Sequence, residues 1–436
     1  MTSADRKKRI AEIVKGNNFS SDNKGKRLRY RGEVKTFIEY EIPMELLVYN
    51  VENGRIASLV KSFEREHSSL DPEREADALQ IAKFLYDSNE INNKKTKEDI
   101  AKNGQLETGI ITSDGVIVDG NRRASLMISI LQDPDKYTPE QRARCEKFRA
   151  VVLPEDADEK EILRLETTYQ MGSDEKVGYN AIEKYLHARD MLDKGFSQSD
   201  IAEFMGLEST AKVQELLDVV QLIDDYLDYF DYTGIYTRLP KGFEDDLLKL
   251  NQAIKKIRSG RISWIPTDQL EEVENDLKCS CFDFIRLNAK SNEGFDFRAI
   301  ASTTSGNFLA NEDVWRQFIY SWQTTIANVV EEPLDDVLAA SKSAGDTDRL
   351  LESRDNKWRK KVGEQLMEGF SDAKTTIDNK KEQEKPAVLL RRALNALEQI
   401  KIDKLEQYSA DEQVIAQVRR LCDLSDIFAD SVDFGD

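Results

Sequence analysis

The sequence predicts an α+β N-terminal domain followed by a mostly α-helical remainder, and three observations lead there. Short β-branched runs such as "GIITSDGVIVDG" are confined to the first third of the chain. Apolar residues at helical spacing fill the intervals between those runs and nearly everything after residue 174. No apolar run approaches the roughly 20 residues that a bilayer span requires. At 436 residues the chain is too long for one compact core, so about two to four domains are expected.

Residues 1–35 are basic. Arg6, Lys7, Lys8, Arg9, Lys15, Lys24, Lys26, Arg27, Arg29, Arg31 and Lys35 stand against Asp5, Glu12, Asp22 and Glu33. Such an arm suits contact with a phosphate backbone or an acidic partner, and equally a solvated tail. "TFIEYEIPMELLVYN" then reads as a strand broken at Pro43. "EADALQIAKFLYDSNE" has a helical period, and the charged segment around it adds a helix or two. "ETGIITSDGVIVDG" reads as two strands joined at Ser113-Asp114-Gly115, a turn whose Asp-Gly supplies the positive φ a hairpin needs. "RRASLMISILQ" follows as a helix, "KFRAVVLPE" as a strand, and "DEKEILRLETTYQ" as a helix with Asp158 and Glu161 at capping-box spacing.

Beyond residue 174, "EKVGYNAIEKYLHARDMLDKG" is an amphipathic helix closed by Gly195. "FSQSDIAEFMGLESTAKVQELLDVVQLIDDYL" is a short helix, a Gly206 turn and a longer helix, which is helix-turn-helix spacing. Helical patterns continue to residue 338 around a polar stretch at 288–313. A linker-like run, Ala339–Arg349, precedes two final helices, "PAVLLRRALNALEQI" and "DEQVIAQVRRLCDLSDIFADSV". The expected domains are therefore 1–35, 36–173, 174–235, 236–338 and 350–436.

Composition narrows the function. The four cysteines are scattered and the two histidines are far apart, which argues against a disulfide framework, a His-built metal site and His-based nucleophilic catalysis. The start is basic but lacks the apolar core of a secretory signal, so a cytoplasmic location is expected. A net charge of −19 opposes wide contact with nucleic acid.

Against that acidity the stretch "GVIVDGNRRASLM" stands out. A glycine before a helix start lets the backbone approach a ligand, and the first-turn amides favour an anion. Arg122 and Arg123 add forked donors that match phosphate oxygens. Gly120, Asn121, Arg122 and Arg123 thus form an anion-binding turn on the functional reading and a solvated helix start on the bland one. Asp119 would repel a close phosphate. It suits holding an arginine, receiving a sugar hydroxyl or bridging a divalent cation.

Three segments in order, "LLVYNVENGRI", "IAKNGQLETGIITSDGVIVDGNRRASLM" and "FRAVVLPEDADEKEILRLETTYQ", resemble the three boxes of the ParB/sulfiredoxin superfamily. The likeness is to its ParB-like members with an Asp-Gly-x-x-Arg turn, which include prokaryotic DNA-modification and phage-defence proteins. It covers roughly residues 36–230, helix-turn-helix included. The resemblance implies a nucleotide-binding domain over 36–173, with Gly120, Arg122 and Arg123 gripping phosphate, Arg55 as the first-box arginine, and Glu166 as the acid that helps hold metal and triphosphate. Gln170 shares a helix face with Glu166 at i, i+4. The implied ligand is an NTP (ATP, CTP or GTP), with or without Mg²⁺. Two departures stand out: Glu166 is followed by Thr167-Thr168-Tyr169-Gln170 instead of the family's Asn and Arg, and the turn reads Asp-Gly-Asn-Arg-Arg instead of Gly-Glu-Arg-Arg. The turn also lacks the cysteine a sulfiredoxin reaction needs.

The helix-turn-helix is a poor DNA reader by composition. Ser209, Thr210, Lys212 and Gln214 stand among Glu208, Glu215 and Asp218. Three functions compete: a nucleotide-responsive protein acting on or near DNA; an enzyme on the same scaffold (NTPase, small-molecule kinase or nuclease) with Glu166 as its catalytic base; and a non-catalytic adaptor. The C-terminal helices could serve a protein partner or a homodimer; no contact with a membrane is expected.

Overall fold

The computed structural model describes residues 1–16, 25–171, 181–304, 306–341, 344–409 and 411–431. Its first part is a small sheet with helices on both faces, and the remainder is helical.

Strands β1 (Lys26–Tyr30) and β2 (Glu33–Phe37) form an antiparallel hairpin of their own. β3 (Glu39–Pro43), β4 (Gly109–Ile111), β5 (Ile117–Asp119) and β6 (Lys147–Val152) form a mixed sheet in the order β3-β6-β4-β5. β4 runs parallel to β6 and antiparallel to β5. The turn between β4 and β5 is tight: Gly115 has φ 89°, and a Cβ there would lie 2.1 Å from the Leu46 carbonyl oxygen. Alternation along β4 divides the core. Ile111 faces a cluster with Ile42, Ala124, Met127 and Phe148, while Ile110 faces Leu28, Val118, Val151 and Leu165.

Helices α1 (Ser3–Lys15), α2 (Ala57–Glu66), α3 (Glu75–Asp87), α4 (Glu90–Asn103), α5 (Asn121–Leu131) and α6 (Pro139–Ala143) belong to the first cluster's side. α7 (Glu159–Met171) covers the second. At its start Asp158 accepts the Glu161 amide at 2.7 Å, but the Glu161 carboxylate turns to Arg164 and to the Arg31 amide, so only half of the expected capping box forms.

The expected basic arm over 1–35 is corrected. Residues 3–15 are helical and 26–35 belong to the hairpin. Arg6 is buried, reaching Glu73 at 2.7 Å and the Asp114 carbonyl at 2.9 Å, and Ile10 enters the core. Arg9 pairs with Glu45, Arg29 with Glu203 and Arg31 with Asp156. Several of the cations thus pair with acids of the same chain, Arg29 reaching the helical part. Lys24 and Asp22 lie outside the described residues.

The helical part comprises α8 (Ala181–Asp193), α9 (Gln198–Phe204), α10 (Thr210–Tyr229), α11 (Phe243–Arg258), α12 (Leu270–Arg286), α13 (Glu312–Ile326), α14 (Leu334–Ala339), α15 (Ala344–Glu398), α16 (Ile402–Glu406) and α17 (Glu412–Ser431). The boundaries expected near 235 and 338–350 are not respected, because one apolar cluster runs from Ile182 to Ile377. The expected linker contributes its last residues to α15, a helix of 55 residues that passes through Pro386 and includes most of the first of the two expected final helices. Leu351, Trp358, Val362, Leu366, Phe370, Ala373 and Ile377 form its buried stripe. Arg286 anchors it: the guanidinium is buried between Phe230 and Trp358 and pairs with Asp355 and Glu331. No helix among the described residues is long and apolar enough to cross a membrane.

α2 joins the two parts. Its own N-cap, Ile56, offers no side-chain hydrogen bond. Instead the Glu183 carboxylate of α8, 2% exposed, accepts the Ser58 amide at 3.1 Å and the Ser58 hydroxyl at 2.5 Å. Burial pushes the Glu183 carboxyl up to about 7, against the pull of those hydrogen bonds. A carboxyl whose folded pKa exceeds its unfolded value of 4.5 stabilises the fold fully below that value and loses the contribution as pH rises through about 7. Thermal unfolding followed from pH 5 to pH 8 should therefore show wild type losing about 3 kcal/mol more than Glu183→Gln; parallel pH profiles for the two proteins would refute it.

Candidate anion-binding site

The β5–α5 junction is shaped by Gly120. Its φ is 109° and a Cβ would lie 2.7 Å from Phe148 Cζ, so the turn admits no side chain. No side chain caps α5, and the positive end of its dipole faces the turn.

Asn121 does not serve as the expected ligand residue through its side chain. That side chain is buried, with Oδ1 accepting the Asn50 amide at 2.9 Å and Nδ2 donating to the Ile117 carbonyl at 2.7 Å. Glu166 is likewise turned inward. It is 1% exposed, and its two oxygens accept from Asn50 Nδ2 at 3.1 Å and the Gly54 amide at 3.0 Å. Both residues grip the loop at 50–55, whose end carries Arg55; the Arg55 amide in turn donates to Asn53 Oδ1 at 3.1 Å. Gln170 lies on the last turn of α7, its side chain outside the described part of the structure.

Around the turn, cations outnumber acids. Arg123 donates to the Glu107 carbonyl at 2.7 Å. Burial lowers its pKa, as do neighbouring Arg149 and Arg55, while Asp119 and Glu107 oppose the shift. Lys26 donates to the Thr108 carbonyl at 2.5 Å, sits 3.4 Å from Asp119 and lies over the Tyr169 ring. Burial lowers its pKa too, with Arg123 adding to the effect. Asp119 therefore pairs with a lysine, where an arginine was expected. Arg149, from β6, donates to the Gln105 and Leu106 carbonyls at 2.5 and 2.9 Å, and its buried Nε has no partner among the described residues. Arg149 also lines a depression of about 500 Å³ with Gly104, Gln105, Arg144 and Lys147. Arg122 is half-buried on the first turn of α5.

The structure thus gathers Gly120, Arg123, Arg55 and Asp119, and adds Lys26 and Arg149. Lys26 was hidden in a segment that reads as a tail, and Arg149 in a strand with nothing to mark it. Four cations, Arg55, Arg123, Arg149 and Lys26, beside the carboxylates of Asp119 and Glu107 in a half-buried setting suit a multivalent anion. The carboxylates do not form a metal cradle: Asp119 leans on Lys26, Glu166 is spent on the loop, and no metal-ligating cluster occurs among the described residues.

Asn121→Ala would leave the Asn50 amide and the Ile117 carbonyl without partners, costing about 1–3 kcal/mol for each group that stays dry. Urea denaturation should show the loss, and amide exchange at 50–55 should quicken; unchanged exchange there would refute the clamp. No protein-family model matches the chain, and no curated protein matches it significantly, so any functional reading rests on the site itself.

Proposed function

We propose that the protein is a ParB-like, nucleotide-responsive regulator acting on or near DNA, with the phosphates of an NTP on the Asp119–Arg123 turn. The observation that carries this reading is the cation surplus assembled from Arg55, Arg123, Arg149 and Lys26 around a glycine that excludes a Cβ. A triphosphate supplies the missing negative charge in the size and geometry that forked guanidinium donors match. Mg²⁺, where it takes part, would arrive on the phosphate oxygens, since the nearby carboxylates are engaged.

Binding fits better than turnover. As a catalytic base Glu166 would need to face a bound nucleophile, and its oxygens instead face Asn50 and Gly54. α10 is poorly equipped to read DNA directly: Lys212 is paired with Glu215, and Gln214 with Gln198 and Asp218. A protein partner or second copy has a surface in the exposed Leu390, Leu394, Leu397, Leu421, Ile427 and Phe428 of the last helices.

Calorimetric titration with ATP, CTP and GTP should give saturable binding of at least one of them. Arg122→Ala/Arg123→Ala should weaken it by roughly a hundredfold, two charge-assisted contacts being removed. Absence of binding, or equal binding by the double variant, would overturn the proposal.

A further inference from the structure

α2, α7 and α8 leave a cleft of about 340 Å³ between them, separate from the cationic cluster. Its floor is apolar, with Ala57, Val60 and Leu163. Its walls carry the carboxylates Glu52, Glu64, Asp190 and Asp193 and only two cations, Lys61 and Lys194. Both lysines are already paired, Lys61 with Asp190 at 3.3 Å and Lys194 with Glu52. Asp193 has no ion-pair partner among the described residues.

A buried imidazole also lines the cleft. His187 is 3% exposed, and its Nε2 lies 2.7 Å from Thr167 Oγ1. That hydroxyl has one proton, and its 2.7 Å approach to the Leu163 carbonyl claims it. With that proton on the Leu163 carbonyl, Nε2 carries the hydrogen of the imidazole–hydroxyl contact and Nδ1 is left as a lone pair. Nδ1 has no hydrogen-bond partner among the described residues. Burial pushes the imidazole down to about 4, so the ring stays neutral near pH 7.

An apolar floor, surplus carboxylates and a buried acceptor together describe a guest with charged N–H donors at its ends and methylenes between them. An anion would meet repulsion from the walls, and a purely apolar guest would leave the lone pair and carboxylates unused. We propose that this cleft binds a linear aliphatic polyamine, one ammonium donating to His187 Nδ1 beside Asp190, the methylenes lying on Ala57, Val60 and Leu163, and a second ammonium meeting Asp193 and Glu52 at the mouth. The site does not depend on nucleotide binding. Because α2 and α8 both line the cleft, the guest would tie the sheet domain to the helical part near the place where Glu183 meets Ser58.

The test uses the whole chain with spermidine and putrescine as probes. Calorimetry should give a single saturable site for at least one of them, and Asp193→Asn should weaken it roughly tenfold, an ammonium–carboxylate contact being lost. Asp193 is exposed and unpaired at the end of α8, so this variant should fold. In imidazole ¹⁵N spectra, simplified by the presence of only two histidines, the His187 Nδ1 resonance should move on binding while those of His67 stay. Non-saturating binding, binding that Asp193→Asn leaves unchanged, displacement by an equal concentration of Mg²⁺, or a stationary His187 signal would overturn the proposal.

Discussion

The carboxylate of Glu166 fixes the geometry on which the candidate site depends. Polar oxygens held away from water must find donors nearby or their burial is costly. Asn50 and Gly54 supply those donors from the loop at 50–55. Asn121 completes the grip from the opposite side by holding the Asn50 amide. The loop's end is therefore fixed, and with it the approach of Arg55 to Arg123. Guanidiniums crowded in this way repel one another. They stay together because α5, β6 and the Gln105 segment are each fixed by contacts of their own: Gln105 accepts the Arg149 amide and donates to the Arg149 and Glu107 carbonyls. A site so built is electrostatically uneasy when empty, and a polyanion would relieve it.

The second buried carboxylate, Glu183, does comparable work between the two halves of the chain. α2 starts without a cap of its own and receives one from α8. The segment from Asn50 to Glu66 is thus held at its first residue by Asn121, in its loop by Glu166 and at its helix start by Glu183. Its neighbours on the helical side include Asp190 through Lys61, and Thr233 through Arg65.

Much of the fold was legible because short-range signals decided it. The Ser113–Gly115 turn, the Gly120 junction, the Asp158 cap and the Gly206 break each depend on one or two residues, and each lies where the pattern put it. The long-range features were not legible. Arg6 reads as part of a basic tail until Glu73 and the Asp114 carbonyl are brought to it from distant positions. The stripe from Leu351 to Ile377 is diluted by charged residues between its apolar positions, and Ala339–Arg349 looked like a linker because its composition is polar. The candidate site shows the same division. Gly120 and the paired arginines were visible as a local motif, whereas Lys26 and Arg149 arrive by tertiary folding. The inward roles of Asn121 and Glu166 could not be read either, since an amide or carboxylate facing a loop and one facing a ligand have the same sequence.

The 55-residue α15 has a consequence for how the molecule moves in water. At 1.5 Å of rise per residue it spans roughly 80 Å, well beyond the diameter of a compact domain. Its buried stripe ends at Ile377, and Leu390, Leu394 and Leu397 farther along are open to solvent. The outer portion acts as a spar that raises frictional drag at a given mass, so a single copy would diffuse and sediment more slowly than a sphere of 49.9 kDa.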